Sequence, residues 1–266
     1  MTDLLLANEP LIRLRFFLGI LLAMALWEVA APRRRREIPR LLRWSNNLGI
    51  VIVDTLLVRL TFPIVAVALA VIAEERGWGL FNAVALPTWL EVLATVLIFD
   101  LAIWTQHLVT HKVPVLWRFH RVHHADRDFD VSTAIRFHPV EIAFSMLLKI
   151  GLVYLIGPPA LGILMFEIIL NGTALFNHAN IRLPPWLDAV LRQFLVTPDM
   201  HRVHHSDLRA EHDSNYGFAL SVWDRMFGTY IAQPEGGHDG MTIGLQWQDD
   251  RPSRLGWSLS LPFRRK

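Results

Sequence analysis

The sequence contains no cysteine. That absence excludes structural disulfides, thiolate metal sites and cysteine-held iron–sulfur clusters. Any metal bound here must use nitrogen or oxygen ligands. Charge is also scarce: 19% of residues are charged, against 53% hydrophobic. Soluble domains are usually about a quarter charged, so the balance points to a membrane protein. The formal net charge of +2 offers no global basic field and no case for nucleic acid. The sequence has no G-x-G-x-x-G nucleotide fingerprint. It also has no HExxH, the arrangement that sets a general-base glutamate beside zinc. Histidine is missing from the whole first part of the chain, yet eleven of its twelve copies lie between His107 and His212.

The long apolar runs are the first positive feature. Residues 11–31 form one, with Asp3 and Glu9 where a signal peptide would be basic and an arginine cluster after it. That order predicts a retained anchor. Residues 48–73 form a second run, long enough to cross about 30 Å of hydrocarbon. It carries Asp54, Arg59 and Pro63, which predicts that it faces other helices there. A third runs from Thr88 to His111, where Thr88 and Glu91 read as a capping box after Pro87. Residues 140–178 are too long for one span, and Gly157, Pro158 and Pro159 divide them into a hairpin. The loop from Pro32 to Asn47 holds six arginines and one acid, so the positive-inside rule makes it cytoplasmic. Counting spans from there brings the histidines to the cytoplasmic edge.

The histidines fall into helix-compatible groups. "HLVTH" sets His107 and His111 at i and i+4, on one helix face. "HRVHH" sets His120, His123 and His124 within an arc of about 100°. The same five letters return at His201, His204 and His205, and Asp126 and Asp207 each stand two places beyond. Their flanks differ, so no longer repeat is visible. A lone histidine is usually structural, but eight so grouped near a membrane each need a partner or a metal. Eight or nine imidazoles exceed one coordination sphere, which predicts two metals. Spacing does not choose iron over zinc. Two polar stripes continue from the groups. Asp100, Trp104, His107 and His111 share one face, and so do Glu167, Asn171 and His178. Asp100 is the candidate to hold a ligand's free ring nitrogen, with a plain helix–helix bond as the alternative.

The boxes HxxxH, HxxHH and HxxHH between apolar hairpins closely resemble the fatty acid hydroxylase/sterol desaturase superfamily. The similarity runs from about Asp100 to Tyr230. It takes in "RFHPVE" at Arg136–Glu141, "NHAN" around His178 and "NYGFALSVWDRMFGTY" at Asn215–Tyr230. The resemblance implies that His107, His111, His120, His123, His124, His178, His201, His204 and His205 are ligands of two non-haem irons. It implies a membrane oxygenase that hydroxylates or desaturates an unactivated C–H bond of a lipid with O2. The lipid would be of sterol or fatty acyl type. Each "HRVHH" would then be a half-cage giving three imidazoles to one metal. With no iron–sulfur, haem or nucleotide signature, the two electrons per turnover would come from a separate reductase or electron carrier. The alternatives from other classes are a histidine-rich metal transporter and a zinc-dependent membrane hydrolase.

The expected fold is therefore all-α and integral to the membrane. Four to five embedded helices carry a cytoplasmic histidine-rich cap. Residues 1–87 would supply N-terminal helices and the arginine loop, 88–235 the catalytic domain, and 236–266 a peripheral basic tail against anionic headgroups or without order. His138, before Pro139, reads as a helix opener or a minor ligand. His212 reads as a neighbour of the third box, and His238 as solvated loop.

Overall fold

The computed structural model describes residues 2–264. Among them the regular elements are helical, with three isolated bridges, Pro32 with Ile181, Leu195 with Leu220 and Ser206 with Ile243. A short α1 (Thr2–Ala7) leads into α2 (Glu9–Ala30), and α3 (Arg40–Thr61) follows. After a break come α4 (Ala66–Arg76), the single turn α5 (Leu80–Ala83) and the long α6 (Thr88–Lys112). α7 (Pro114–His124) carries the first "HRVHH", and α8 (Pro139–Ile156) and α9 (Ala160–Asn177) form the hairpin. Short helices complete the chain: α10 (Pro185–Leu191), α11 (Pro198–His204), α12 (Arg209–His212), α13 (Val222–Met226), α14 (Gly237–Gly240) and α15 (Leu255–Ser260). Five segments are long and apolar enough to cross a membrane: Glu9–Ala30, Arg40–Ala83, Thr88–Lys112, Pro139–Ile156 and Ala160–Asn177. The all-helical membrane architecture is thus as expected.

The punctuation of the chain explains where the helices stop. Gly157 closes α8 at φ 61°, a left-handed end open to glycine, and Pro159 precedes α9. α7 and α11 both begin with proline, whose missing N–H costs nothing at a first helical position. The hairpin packs on α6 through a close approach. A Cβ on Gly162 would lie 2.9 Å from the Thr95 side chain, so glycine lets the two helices touch. Phe99 and Phe166 then meet with ring centroids 5.2 Å apart. In a bilayer such contacts hold helices together by packing rather than by excluding water.

The ends of the long helices are pinned to the cap by buried polar groups. Glu28, at the end of α2, accepts from Val131 N (2.7 Å) and Asn180 N (2.8 Å). Arg43, at the start of α3, donates both to Asp126 (2.9 and 2.7 Å) and to Asp130 (2.6 Å). Burial alone would raise the Asp126 carboxyl, but Arg43 outweighs it and holds the group at about 2. The arginine run is therefore not a free basic patch. Arg33 pairs with Asp239, and Arg36 and Arg40 lie beside Glu28.

Four expectations need correction. The second apolar stretch is not one continuous helix over 48–73: α3 starts at Arg40, and the chain turns extended at Phe62 before Pro63. Proline disfavours helix at the residue before it, so the break falls there. Thr88 does not cap α6; Pro87 is the N-cap, no side chain bonds there, and Thr88 is already helical. The chain end is not peripheral. Leu261 and Trp257 pack with Ile50 and Val122, and Arg121 donates to Leu261 O at 2.7 Å. Arg265 and Lys266 lie outside the described residues. His238 is buried rather than solvated, with Nε2 3.6 Å from Asp199.

Candidate metal centre

The three boxes meet where α6, α7, α9 and α11 end in the cap. All nine expected ligands are brought together, and they separate into two groups. His107, His111, His120, His124 and His204 form one; His123, His178, His201 and His205 form the other. Within each group one ring nitrogen per residue lies within 4.8 Å of all the others. All nine rings are buried.

The expected half-cages are replaced by an exchange. His120 and His124, at i and i+4, stay together, while His123 crosses to the second group. In the other pentapeptide His201 and His205 stay together and His204 crosses to the first. The reason is angular. Positions i and i+4 lie about 40° apart around a helix, while i+3 lies about 60° to the other side of i. Two such helices facing each other therefore trade their third rings. The shared aspartates do not share surroundings: Asp126 is buried on Arg43 and Asp207 is exposed.

Four rings have their outer nitrogen fixed by an oxygen. His107 Nδ1 meets Tyr216 O (2.7 Å), and His120 Nδ1 meets Glu141 Oε1 (2.7 Å). His178 Nδ1 meets Ala174 O (2.8 Å), and His204 Nδ1 meets Ser214 O (2.6 Å). Each oxygen requires a proton on Nδ1, which leaves Nε2 as a lone pair. Those lone pairs face one another: His107 Nε2 lies 3.0 Å from His120 Nε2, and His178 Nε2 lies 3.1 Å from His123 Nε2 and 3.2 Å from His201 Nε2. Both ring nitrogens of His111, His124 and His205 are buried without a hydrogen-bond partner, as is His204 Nε2. Unpartnered buried nitrogens are expensive, and a cation in each group would take up one nitrogen of every ring. Burial, followed by repulsion from neighbouring rings, drives His123, His124, His201 and His205 well below the ordinary histidine value. Burial takes His178 down to about 3. These five rings are thus neutral, the form a metal takes. An all-imidazole set with no thiolate fits iron, zinc, copper or nickel.

Asp100 does not hold a ligand ring. Its Oδ2 accepts from Trp223 Nε1 (2.8 Å) and Leu220 N (3.3 Å), which ties α6 to α13 and the loop before it. The carboxylate that does hold a ring is Glu141, and the sequence had marked it only as part of "RFHPVE". Asp224, likewise within a quoted stretch, accepts from Trp104 Nε1 (3.0 Å) and from Tyr216 N (2.8 Å), and so sets the turn whose carbonyl meets His107. Glu167 is an ion-pair residue, 3.0 Å from Lys149 Nζ and 3.0 Å from Arg13 Nη2. His138 opens α8: its Nδ1 accepts from Val140 N, and its Nε2 donates to Leu259 O. His212 stands just outside the first group, stacked on Trp117 at 5.3 Å.

Two openings reach the histidines from different sides. A cavity of about 570 Å³ runs among α2, α3, α6, α8 and α9 and ends at His107 and Glu141. Its walls include Val51, Ile103, Phe137, Met146, Leu170 and Phe218. A second cavity, of about 400 Å³, lies in the cap beside His111, between Lys112, Trp117, Arg121 and Trp247.

The model of the fatty acid hydroxylase family matches residues 92–229. An ornithine lipid hydroxylase of Rhizobium tropici is 32% identical over 150 residues, 56% of this chain and 44% of that protein. An alkylglycerol monooxygenase of Xenopus tropicalis is 30% identical over 168 residues, 59% of this chain and 35% of that protein. A cholesterol 25-hydroxylase-like protein of Danio rerio is 30% identical over 147 residues, 52% of this chain and 55% of that protein. The chain thus spans about a third to a half of the curated relatives it matches. No solved structure matches it.

Proposed function

The chain belongs to the fatty acid hydroxylase family, and from that premise we propose that it is a membrane-bound, non-haem di-iron oxygenase that hydroxylates an unactivated C–H bond of a lipid. The observation that carries the reading is the junction of two buried imidazole groups with an apolar cavity between membrane-embedded helices. His107, His111, His120, His124 and His204 would hold one iron, and His123, His178, His201 and His205 the other. Iron bound there supplies the O2-dependent oxidation of the C–H bond. The chain's own contribution is placement. Glu141 and the carbonyls of Tyr216, Ala174 and Ser214 keep four rings in the ligating tautomer. Phe137 and Phe218 line the cavity where it meets His107 and keep water from the reacting carbon. Electrons come from a separate reductase. The cap faces the cytoplasm, as the arginines between α2 and α3 favour.

The deciding experiment is elemental analysis of the purified protein, followed by incubation with lipid extract, a reductase and isotopic O2. Close to two irons per chain and one labelled oxygen atom in a lipid product are expected. Zinc alone with O2-independent turnover would instead favour a hydrolase. Metal movement across vesicles without lipid oxidation would favour a transporter. Absence of metal in repeated preparations would end the reading.

A further inference from the structure

The loop between α2 and α3 carries more positive charge than the protein uses. Arg33 is spent on Asp239 (2.6 Å), and Arg34 on the carbonyls of His238 (2.9 Å) and Met241 (2.8 Å). Arg35, Arg36 and Arg40 have one carboxylate among them. Glu28 gives its Oε1 to Val131 N and Asn180 N, which leaves Oε2, and both Arg36 (3.6 Å) and Arg40 (3.2 Å) turn to it. Arg36 makes no hydrogen bond, and Arg35 is exposed with neither a hydrogen bond nor an ion pair among the described residues. Glu37 pairs with Arg127 and so does not offset them. Three guanidiniums against one carboxylate leave a surplus of two positive charges where two membrane-spanning segments meet the loop.

An apolar groove of about 720 Å³ begins at the same place. Its walls include Leu18, Leu22, Leu26 and Val29 on α2 and Leu41 and Trp44 on α3, and Arg40 stands at its head. The α2 residues recur at i, i+4, i+8 and i+11, a continuous stripe about 16 Å long. They and Leu41 are exposed. Arg40 lies over the Trp44 ring, 4.5 Å from its centroid, which holds the cation at that end. In a bilayer the stripe meets acyl chains while the arginines meet headgroups. We infer that this groove binds an acidic phospholipid, with its phosphate among Arg35, Arg36 and Arg40 and an acyl chain along α2. A free anion would pair with the arginines and leave the groove bare. A zwitterionic lipid would fill the groove and bring a cation to the arginines. The lipid would brace Glu28, which holds Val131 and Asn180, and Asn180 follows His178 by two places. The site goes beyond the oxygenase reading and does not depend on it; it shares no lining residue with the cavity that ends at His107.

Binding tests this without metal or turnover. The full chain in a neutral detergent is titrated with tritiated dioleoylphosphatidylglycerol. The tracer is then displaced by the same lipid, by dioleoylphosphatidylcholine, by dihexanoylphosphatidylglycerol or by inorganic phosphate. The long acidic lipid should displace about 30-fold better than the choline lipid, at about fivefold for each surplus charge. It should also displace at least about tenfold better than its short-chain form, which keeps the charge and loses most of the apolar contact. Inorganic phosphate should fail even in large excess. Arg35→Gln and Arg36→Gln should each lower the preference over the choline lipid about fivefold. Arg35 has no partner within the protein, so its variant carries no folding cost. Arg15→Gln, elsewhere on α2, should leave the preference unchanged. Equal displacement by the two dioleoyl lipids would overturn the inference. So would displacement by phosphate alone, equal potency of the short-chain lipid, full preference in both loop variants, an equal loss in Arg15→Gln, or no saturable binding. Iron content and oxygen incorporation are separate readouts, so failure here and failure of the oxygenase reading are distinguishable.

Discussion

Glu141 offers the sharpest test of the proposed metal centre, because it acts on a proposed ligand ring without being one. Its Oε1 stands 2.7 Å from His120 Nδ1, and the ring it holds is fully buried. Replacement by alanine does two things. It frees the proton to move to Nε2, the nitrogen that faces His107 Nε2 at 3.0 Å. It also strands a buried N–H, which costs about 1–3 kcal/mol. Loss of such outer partners typically weakens metal affinity about 10–100-fold, or about 1.4–2.7 kcal/mol. Glu141→Ala should fall near the upper end. Glu141→Gln keeps an acceptor oxygen but no charge, and should fall near the lower end. The assay is anaerobic competition for ferrous iron against a chelator of known affinity, with thermal unfolding of the metal-free variants as the control for folding. The reasoning fails if Glu141→Ala binds iron as the parent does. It also fails if the glutamine variant is the weaker of the two.

The exchange of rings between the pentapeptides makes their histidines unequal. His205→Ala leaves three rings in its group and His124→Ala leaves four, so the first should cut iron to about one per chain and the second should cut it less; equal losses would refute the grouping. Arg43→Ala leaves Asp126 and Asp130 buried and unpaired, which should cost about 3–5 kcal/mol and lower the unfolding midpoint on the order of 10 °C. An unchanged midpoint would show that the pair contributes nothing net. The chain has no cysteine, so a single introduced thiol reports sidedness. With the cap cytoplasmic, Glu75→Cys should react with an impermeant maleimide added outside intact cells, and Arg35→Cys only after permeabilisation; the reverse pattern would invert the topology.

Much of this protein is decided by local rules, and those were legible in the sequence. Apolar runs long enough for a bilayer, the helix start at Pro87 and stop at Gly157, and the i, i+3, i+4 spacing of the histidines need only neighbours along the chain. They point to an all-helical membrane fold and group eight of the nine rings that converge; His178 entered through the family resemblance. What they leave open depends on how helices face one another. Whether His123 joins His120 or His201 depends on the placement of α7 against α11. The bonding of Asp100 to Trp223 rather than to a histidine depends on a loop 120 residues away in sequence. Glu141 reads as an ordinary first-turn acid until α8 packs beside α7. In each case the side chain is chosen by the sequence, and its partner by a contact between elements that no local pattern encodes.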